Sequence, residues 1–202
     1  MDDLNEFIEE HELEDPIIIG HSMGGKVAMY FALEYPEMVN SLLVVDISMR
    51  KYPPRQGHVQ MIEAMQSVDF SKVQSREDVE AQLEDEIQSR PIRLFVMKNL
   101  VRVGQSEFKW RLNLKAIYEN IDNIFEGVEH FNRFEKPTLF VRGGKSDYIR
   151  DADMDKIYRH FPAAELETIP HASHWVHAEA PDDLCAIISD FTGKTCKFRP
   201  GK

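Results

Sequence analysis

Cysteine is scarce in this sequence, with Cys185 and Cys196 the only two among 202 residues. Two cysteines cannot build a disulfide framework, so a reducing compartment is the simpler expectation. Long apolar runs are missing too. Ile17-Ile18-Ile19 and Leu42-Leu43-Val44-Val45 are the longest strand-like runs, far short of the roughly 18 residues a membrane-spanning helix needs. Basic residues are outnumbered, 24 Lys and Arg against 35 Asp and Glu, for a formal net charge of −11. Nucleic acid, whose phosphates call for a basic face, is thereby disfavoured as a partner. The acids spread over expected helix surfaces, where they serve solubility. No GxGxxG or Walker sequence occurs, so no nucleotide cofactor is expected. His171, His174 and His177 recur at every third position, but with no HExxH or cysteine cluster beside them they do not read as a metal site. The opening Met1-Asp2-Asp3-Leu4 is acidic, where a secretory signal starts basic and a transit peptide is Arg-rich. The composition, 43% hydrophobic, is that of a globular chain with enough residues for one sizeable core.

No internal repeat or low-complexity tract is present. Leu4, Phe7, Ile8 and Leu13 sit at roughly helical spacing over residues 2–14, which predicts an amphipathic helix ended by Pro16. Three consecutive isoleucines then predict a strand apolar on both faces, the mark of a parallel strand covered by helices. Val27 to Tyr35 is apolar nearly all round and reads as a buried helix stopped by Pro36. Residues 41–45 form a second two-faced strand ended by Asp46, which completes a βαβ unit with parallel strands. Residues 50–135 change character. Helical patterns at about 58–67, 76–89, 91–102 and 111–125 follow Pro53-Pro54, with Ser75 and Asp78 spaced as a capping box and no strand expected between them. The sheet resumes at Thr138–Val141, and a helix at 151–160, a strand at 164–169 and a final helix from Pro181 to about Phe191 follow. The expected layout is an α/β core at 1–49 and 136–193, a helical cap or lid at 50–135 and a flexible tail at 194–202.

The strongest chemical signal is Gly20-x-Ser22-x-Gly24 between the isoleucine strand and the apolar helix. A serine hydroxyl is a poor nucleophile unless it is exposed beside a base. A sharp strand-to-helix turn exposes it, and flanking glycines relieve the crowding of that turn. The helix N-terminus adds N–H groups and a positive dipole end for an oxyanion, with the Met23 N–H as first donor. In this arrangement the order along the chain is serine, acid, histidine. His174, between the last strand and the last helix, is the candidate base, with His171 and His177 as rivals in the same loop. Spacing leaves the acid open between Asp46, at the tip of the strand after the nucleophile strand, and Asp147, in the loop after the next one. Met61 and Met65 in the helical insert belong to a core or line an apolar acyl pocket.

Five stretches resemble one branch of the α/β-hydrolases, the branch of alpha/beta hydrolase domain-containing protein 11, the bacterial YbfF-type esterases and the yeast ethanol acetyltransferases. They are Gly20-His21-Ser22-Met23-Gly24-Gly25-Lys26, Val44-Val45-Asp46-Ile47-Ser48, Trp110-Arg111-Leu112-Asn113-Leu114, the run from Leu139 to Ser146, and His174-Trp175-Val176-His177-Ala178-Glu179. The resemblance implies a mostly parallel sheet with helices on both faces and a helical lid. It also implies an acyl-serine mechanism on carboxylic esters or thioesters with no cofactor, with water or an alcohol as acceptor. It favours Asp46 as the acid, with Asp147 as substitute, and mitochondrial or otherwise cytoplasmic residence rather than secretion. One departure is Ser173, where a glycine is more usual before the histidine. Another is that 16 residues precede Ile17, where the fold places several strands, so a form lacking the first strands is expected. The alternative is a catalytically impaired isoform or fragment that acts by binding.

Overall fold

The computed structural model describes residues 1–53, 56–104 and 107–195. In chain order the elements are α1 (Asp2–Glu10), β1 (Ile17–His21), α2 (Met23–Glu34), β2 (Ser41–Val45), α3 (Gln56–Gln66), α4 (Arg76–Glu84), α5 (Arg90–Val96), β3 (Leu100–Val103), β4 (Glu107–Trp110), α6 (Leu114–Glu119), α7 (Ile121–Phe125), β5 (Thr138–Gly143), α8 (Met154–His160), β6 (Ala164–Ile169), α9 (Val176–Glu179) and α10 (Pro181–Thr195). They form two compact units, one of Met1–Lys51 with Gly127–Lys202 and the other of Tyr52–Glu126.

The first unit is built on a four-stranded sheet in the order β1-β2-β5-β6, all parallel. Parallel strands need crossovers, and α2 supplies the first. Most of this helix is buried, with Ala28, Met29, Phe31, Ala32 and Leu33 each at most 1% exposed, while the stripe of Met23, Val27, Tyr30 and Glu34 is exposed or half-buried. On one face of the sheet Leu43 and Val45 lie beside their register partners Leu139 and Val141. These four pack with Ile169, Val176 and Leu184, which is how α9 and α10 attach. Phe134, Phe140 and Phe161 form an edge-to-face stack with centroids 6.3 and 5.9 Å apart. The isoleucine strand β1 pairs only with β2 among the described residues and is an edge. Its Ile19 is 45% exposed.

The second unit has its own core, in which Val79, Leu83, Val96 and Leu100 are buried. The capping box expected at Ser75 is present: its hydroxyl accepts from the Asp78 N–H, and the Asp78 carboxylate accepts from the Ser75 N–H at 2.8 Å. Arg93 is 5% exposed. It donates to the Ile87 and Gln88 carbonyls and pairs with Glu84 at 3.0 Å, the compensation a buried cation requires.

Several expectations are corrected. The stretch 91–102 is not one helix, because α5 ends at Val96 and β3 pairs antiparallel with β4, Val101 opposite Lys109. Its signal is the alternation of Val101, Val103, Phe108 and Trp110 with charged residues, a period-2 pattern that strand pairing rewards. The stretch 111–125 breaks at Asn120 (φ −114°, ψ 19°) into α6 and α7. The first helix stops at Glu10, and Leu13 is 44% exposed. The last helix runs on to Thr195; the remainder of the expected tail, with Cys196, lies outside the described residues, as does Pro54. No helix among the described residues is long and apolar enough to cross a membrane.

Candidate active site

β1 and α2 are joined at Ser22, whose backbone sits at φ +53°, ψ −120°. That is a sparsely populated conformation for a residue with a side chain, and it persists only where the surroundings over-determine it. Sheet and helix hold it from both sides. The Ser22 N–H donates to the Val45 carbonyl (3.0 Å), while the Ser22 carbonyl accepts from Gly25 and Lys26. The turn is tight because α2 begins in contact with the strand it leaves. A Cβ on Gly20 would lie 2.3 Å from the Gly24 oxygen, and one on Gly25 would lie 2.5 Å from Ile47 Cγ2. A Cβ on Gly24 would meet nothing within 4 Å. The required glycines are therefore Gly20 and Gly25, which corrects the expectation that Gly24 relieves the crowding. Met23 opens α2, and the first N–H groups of a helix have no partner within it; the residue is 53% exposed.

Ser22, Asp46 and His174 meet although 128 residues separate the last two. The Ser22 hydroxyl is 3.0 Å from His174 Nε2, and His174 Nδ1 is 2.8 Å from Asp46 Oδ2. Since a carboxylate only accepts, Nδ1 carries the proton and Nε2 is left as acceptor for the serine hydroxyl. Asp46 is fully buried, at φ +48°. It receives two further donors, the Gly143 N–H on Oδ1 (2.9 Å) and the Ser146 hydroxyl on Oδ2 (2.5 Å). A buried carboxylate needs such donors, each roughly twice as strong as a neutral hydrogen bond. Asp147, the alternative acid, turns its carboxylate to Arg150 at 3.3 Å. His171 pairs with Asp183 at 3.3 Å, and His177 lies edge-on to His21 with ring centroids 4.9 Å apart.

The loop bearing His174 is clamped on several sides. Cβ atoms on Gly143 and Gly144 would collide with the Ser173 oxygen (2.2 Å) and Pro170 Cα (2.7 Å), so the glycine pair lets this loop cross the end of β5. His21 Nε2 donates to the His174 carbonyl at 2.9 Å. Burial lowers the His21 pKa below 6.5, keeping the ring neutral with its proton on the bonded nitrogen. Tyr148 stacks on the His174 ring at 3.9 Å and 18°. The Glu179 carboxylate accepts from both the Ser173 N–H (2.6 Å) and its hydroxyl (2.5 Å), and these bonds hold the Glu179 pKa below its ordinary value. The unusual serine before the histidine thus ties the loop to α9. Sequence reasoning assigned no role to His21, Ser146, Tyr148 or Glu179. All but Tyr148 lie within the stretches that carry the resemblance. Among the described residues no group of three or more His, Cys, Asp or Glu side chains is placed to hold a metal ion.

A parallel sheet whose first crossover turn carries a strained serine, facing a histidine and a buried aspartate, defines the chain as an α/β-hydrolase. The chain belongs to the alpha/beta hydrolase fold family, whose pattern matches residues 1–181. It is 37% identical over 193 residues to mouse sn-1-specific diacylglycerol lipase ABHD11, covering 94% of this chain and 62% of that protein. It is 29% identical to Escherichia coli esterase YbfF, covering 92% of this chain and 70% of that one. A solved marine microorganism esterase superposes with a TM-score of 0.89 at 39% identity, covering 94% of this chain and 75% of its own. The chain spans about three fifths of the length of the ABHD11 relatives.

Proposed function

We propose that this chain carries the catalytic serine, acid and base of a serine hydrolase acting on carboxylic esters or thioesters. The hydrogen-bonded line from Ser22 through His174 to Asp46, 3.0 and 2.8 Å, carries the reading. Relatives named esterase or lipase support it. In the first half-reaction His174 Nε2 takes the Ser22 proton as the oxygen bonds to the substrate carbonyl carbon. The carbonyl oxygen becomes an oxyanion facing the Met23 N–H at the start of α2. Collapse breaks the bond to the leaving alcohol or thiol, which receives the proton from His174, and an acyl-serine remains. Water then attacks the acyl carbon, giving its proton to His174, and collapse breaks the bond to the Ser22 oxygen, which takes that proton back as the carboxylic acid leaves. Asp46 stays ionised, holding the imidazole in the required tautomer and stabilising its cation.

The test is covalent labelling by a fluorophosphonate probe together with hydrolysis of p-nitrophenyl esters. Labelling of Ser22 that disappears in Ser22→Ala is the expected outcome. Folded protein that neither labels nor hydrolyses would remove the proposal.

A further inference from the structure

The second unit contains a cavity of about 190 Å³ that the triad does not use. It is walled by side chains of α3, α5, α6 and α7, among them Met61, Met65, Phe95, Ile117 and Ile121, with Leu112, 38% exposed, at its rim. His58 and Asn99 belong to the lining but expose no polar surface to the hollow, and among the described residues no Asp, Glu, Lys or Arg lines it. Protein interiors are packed to crystal density, with few voids larger than a water molecule. The hollow is partly open to solvent, and a wall that exposes no polar surface gives water no partners there, so apolar guests are favoured.

We propose that this cavity is a binding site for a straight alkyl chain. Its chemistry selects the guest. Without a charged anchor the site does not read a carboxylate or ammonium head, so recognition falls on the hydrocarbon. Two unbranched thioether side chains, Met61 and Met65, adapt to a flexible chain better than a rigid wall would. Its volume sets the length: since an apolar cavity of about 150 Å³ accepts benzene, this one accommodates about seven or eight carbons. The proposal rests on the ester-hydrolase reading only for the source of such a chain, the acyl group of an ester or the fatty acid released from it. Binding itself does not require Ser22.

Methyl-labelled methionine NMR on the full chain carrying Ser22→Ala tests this without turnover, Met61→Leu and Met65→Leu assigning the two signals. Butanoate, hexanoate, octanoate and dodecanoate are titrated, with methyl octanoate and benzoate in parallel. The Met61 and Met65 signals are expected to move. Affinity should rise about fourfold per added methylene up to octanoate and then level off. Ile117→Trp, which fills the cavity, should abolish the octanoate shift, and Leu112→Trp at the exposed rim does the same if the first variant does not fold. Tighter binding of methyl octanoate than of octanoate assigns the site to substrate, and the reverse order to free fatty acid. Unmoved methionine signals, equal affinity for butanoate and dodecanoate, or a preference for benzoate over octanoate would each overturn the proposal. If octanoate binds but wild-type protein cleaves no ester, the cavity stands and the hydrolase reading falls. Ester cleavage without octanoate binding has the opposite meaning.

Discussion

Two alanine substitutions four residues apart in the same motif, Gly20→Ala and Gly24→Ala, should move stability in opposite directions. In Gly20→Ala the new Cβ starts 2.3 Å from the Gly24 oxygen, 2.6 Å from its carbonyl carbon and 2.7 Å from Gly25 Cα. All three are main-chain atoms, so no rotamer change relieves the clash. Reaching ordinary contact at 3.4 Å requires the first turn of α2 to retreat by about 1.1 Å, the difference between the two distances. Overpacking of this kind costs about 1–3 kcal/mol. In Gly24→Ala the methyl group meets nothing within 4 Å, and exchanging glycine for alanine within a helix gains about 0.5–1 kcal/mol. The two variants should therefore differ by about 1.5–4 kcal/mol. For a chain of this size about 2–4 °C in Tm accompanies each kcal/mol. Urea unfolding followed by circular dichroism measures the gap. Activity offers an independent reading, because a shift of about 1 Å at the reacting oxygen can cost about 10²-fold in rate. Equal destabilisation by both substitutions would refute the steric account of the turn.

Three further expectations concern the residues around His174. Asp46→Asn should lower kcat for a p-nitrophenyl ester by about 10⁴, because the amide leaves His174 in the wrong tautomer. Asp147→Asn should change kcat little, and the reverse ranking would return the acid to Asp147. Ser146→Ala removes a hydroxyl from a fully buried carboxylate and should cost about 1.5–3 kcal/mol in urea unfolding; an unchanged midpoint would show that the hydroxyl contributes nothing to holding Asp46. The His21 pKa is depressed in the fold, chiefly by burial, so below pH 6.5 the unfolded chain binds a proton that the folded one resists. Its contribution to stability is complete above pH 6.5 and is lost as pH falls through the folded value. His21→Gln should flatten that slope in Tm measured against pH, and a slope identical to wild type would assign it to other groups.

What the sequence by itself determined is local. A two-sided apolar strand, a turn with its glycines and an apolar helix follow one another over residues 17–34, and each is a statement about neighbouring backbone. The strand-to-helix turn at Ser22, the βαβ unit, the Ser75 capping box and the strands at 41–45 and 164–169 were legible for that reason. The β3–β4 hairpin was within reach but lost to helix propensity, because two strands of four residues offer little periodicity before pairing stabilises them. Which carboxylate reaches His174 was decided only by tertiary structure. Asp46 and Asp147 both satisfy the order along the chain. Strand order places Asp46, just after β2, between Ser22 after β1 and the donors Gly143 at the end of β5 and Ser146 beyond it, while Asp147 faces Arg150. The Asp46 donors Gly143 and Ser146 lie 97 and 100 positions from it along the chain, and His21, which donates to the His174 carbonyl, lies 153 positions from that residue. Contacts between segments so far apart exist only once the sheet has assembled, and no run of adjacent residues encodes them.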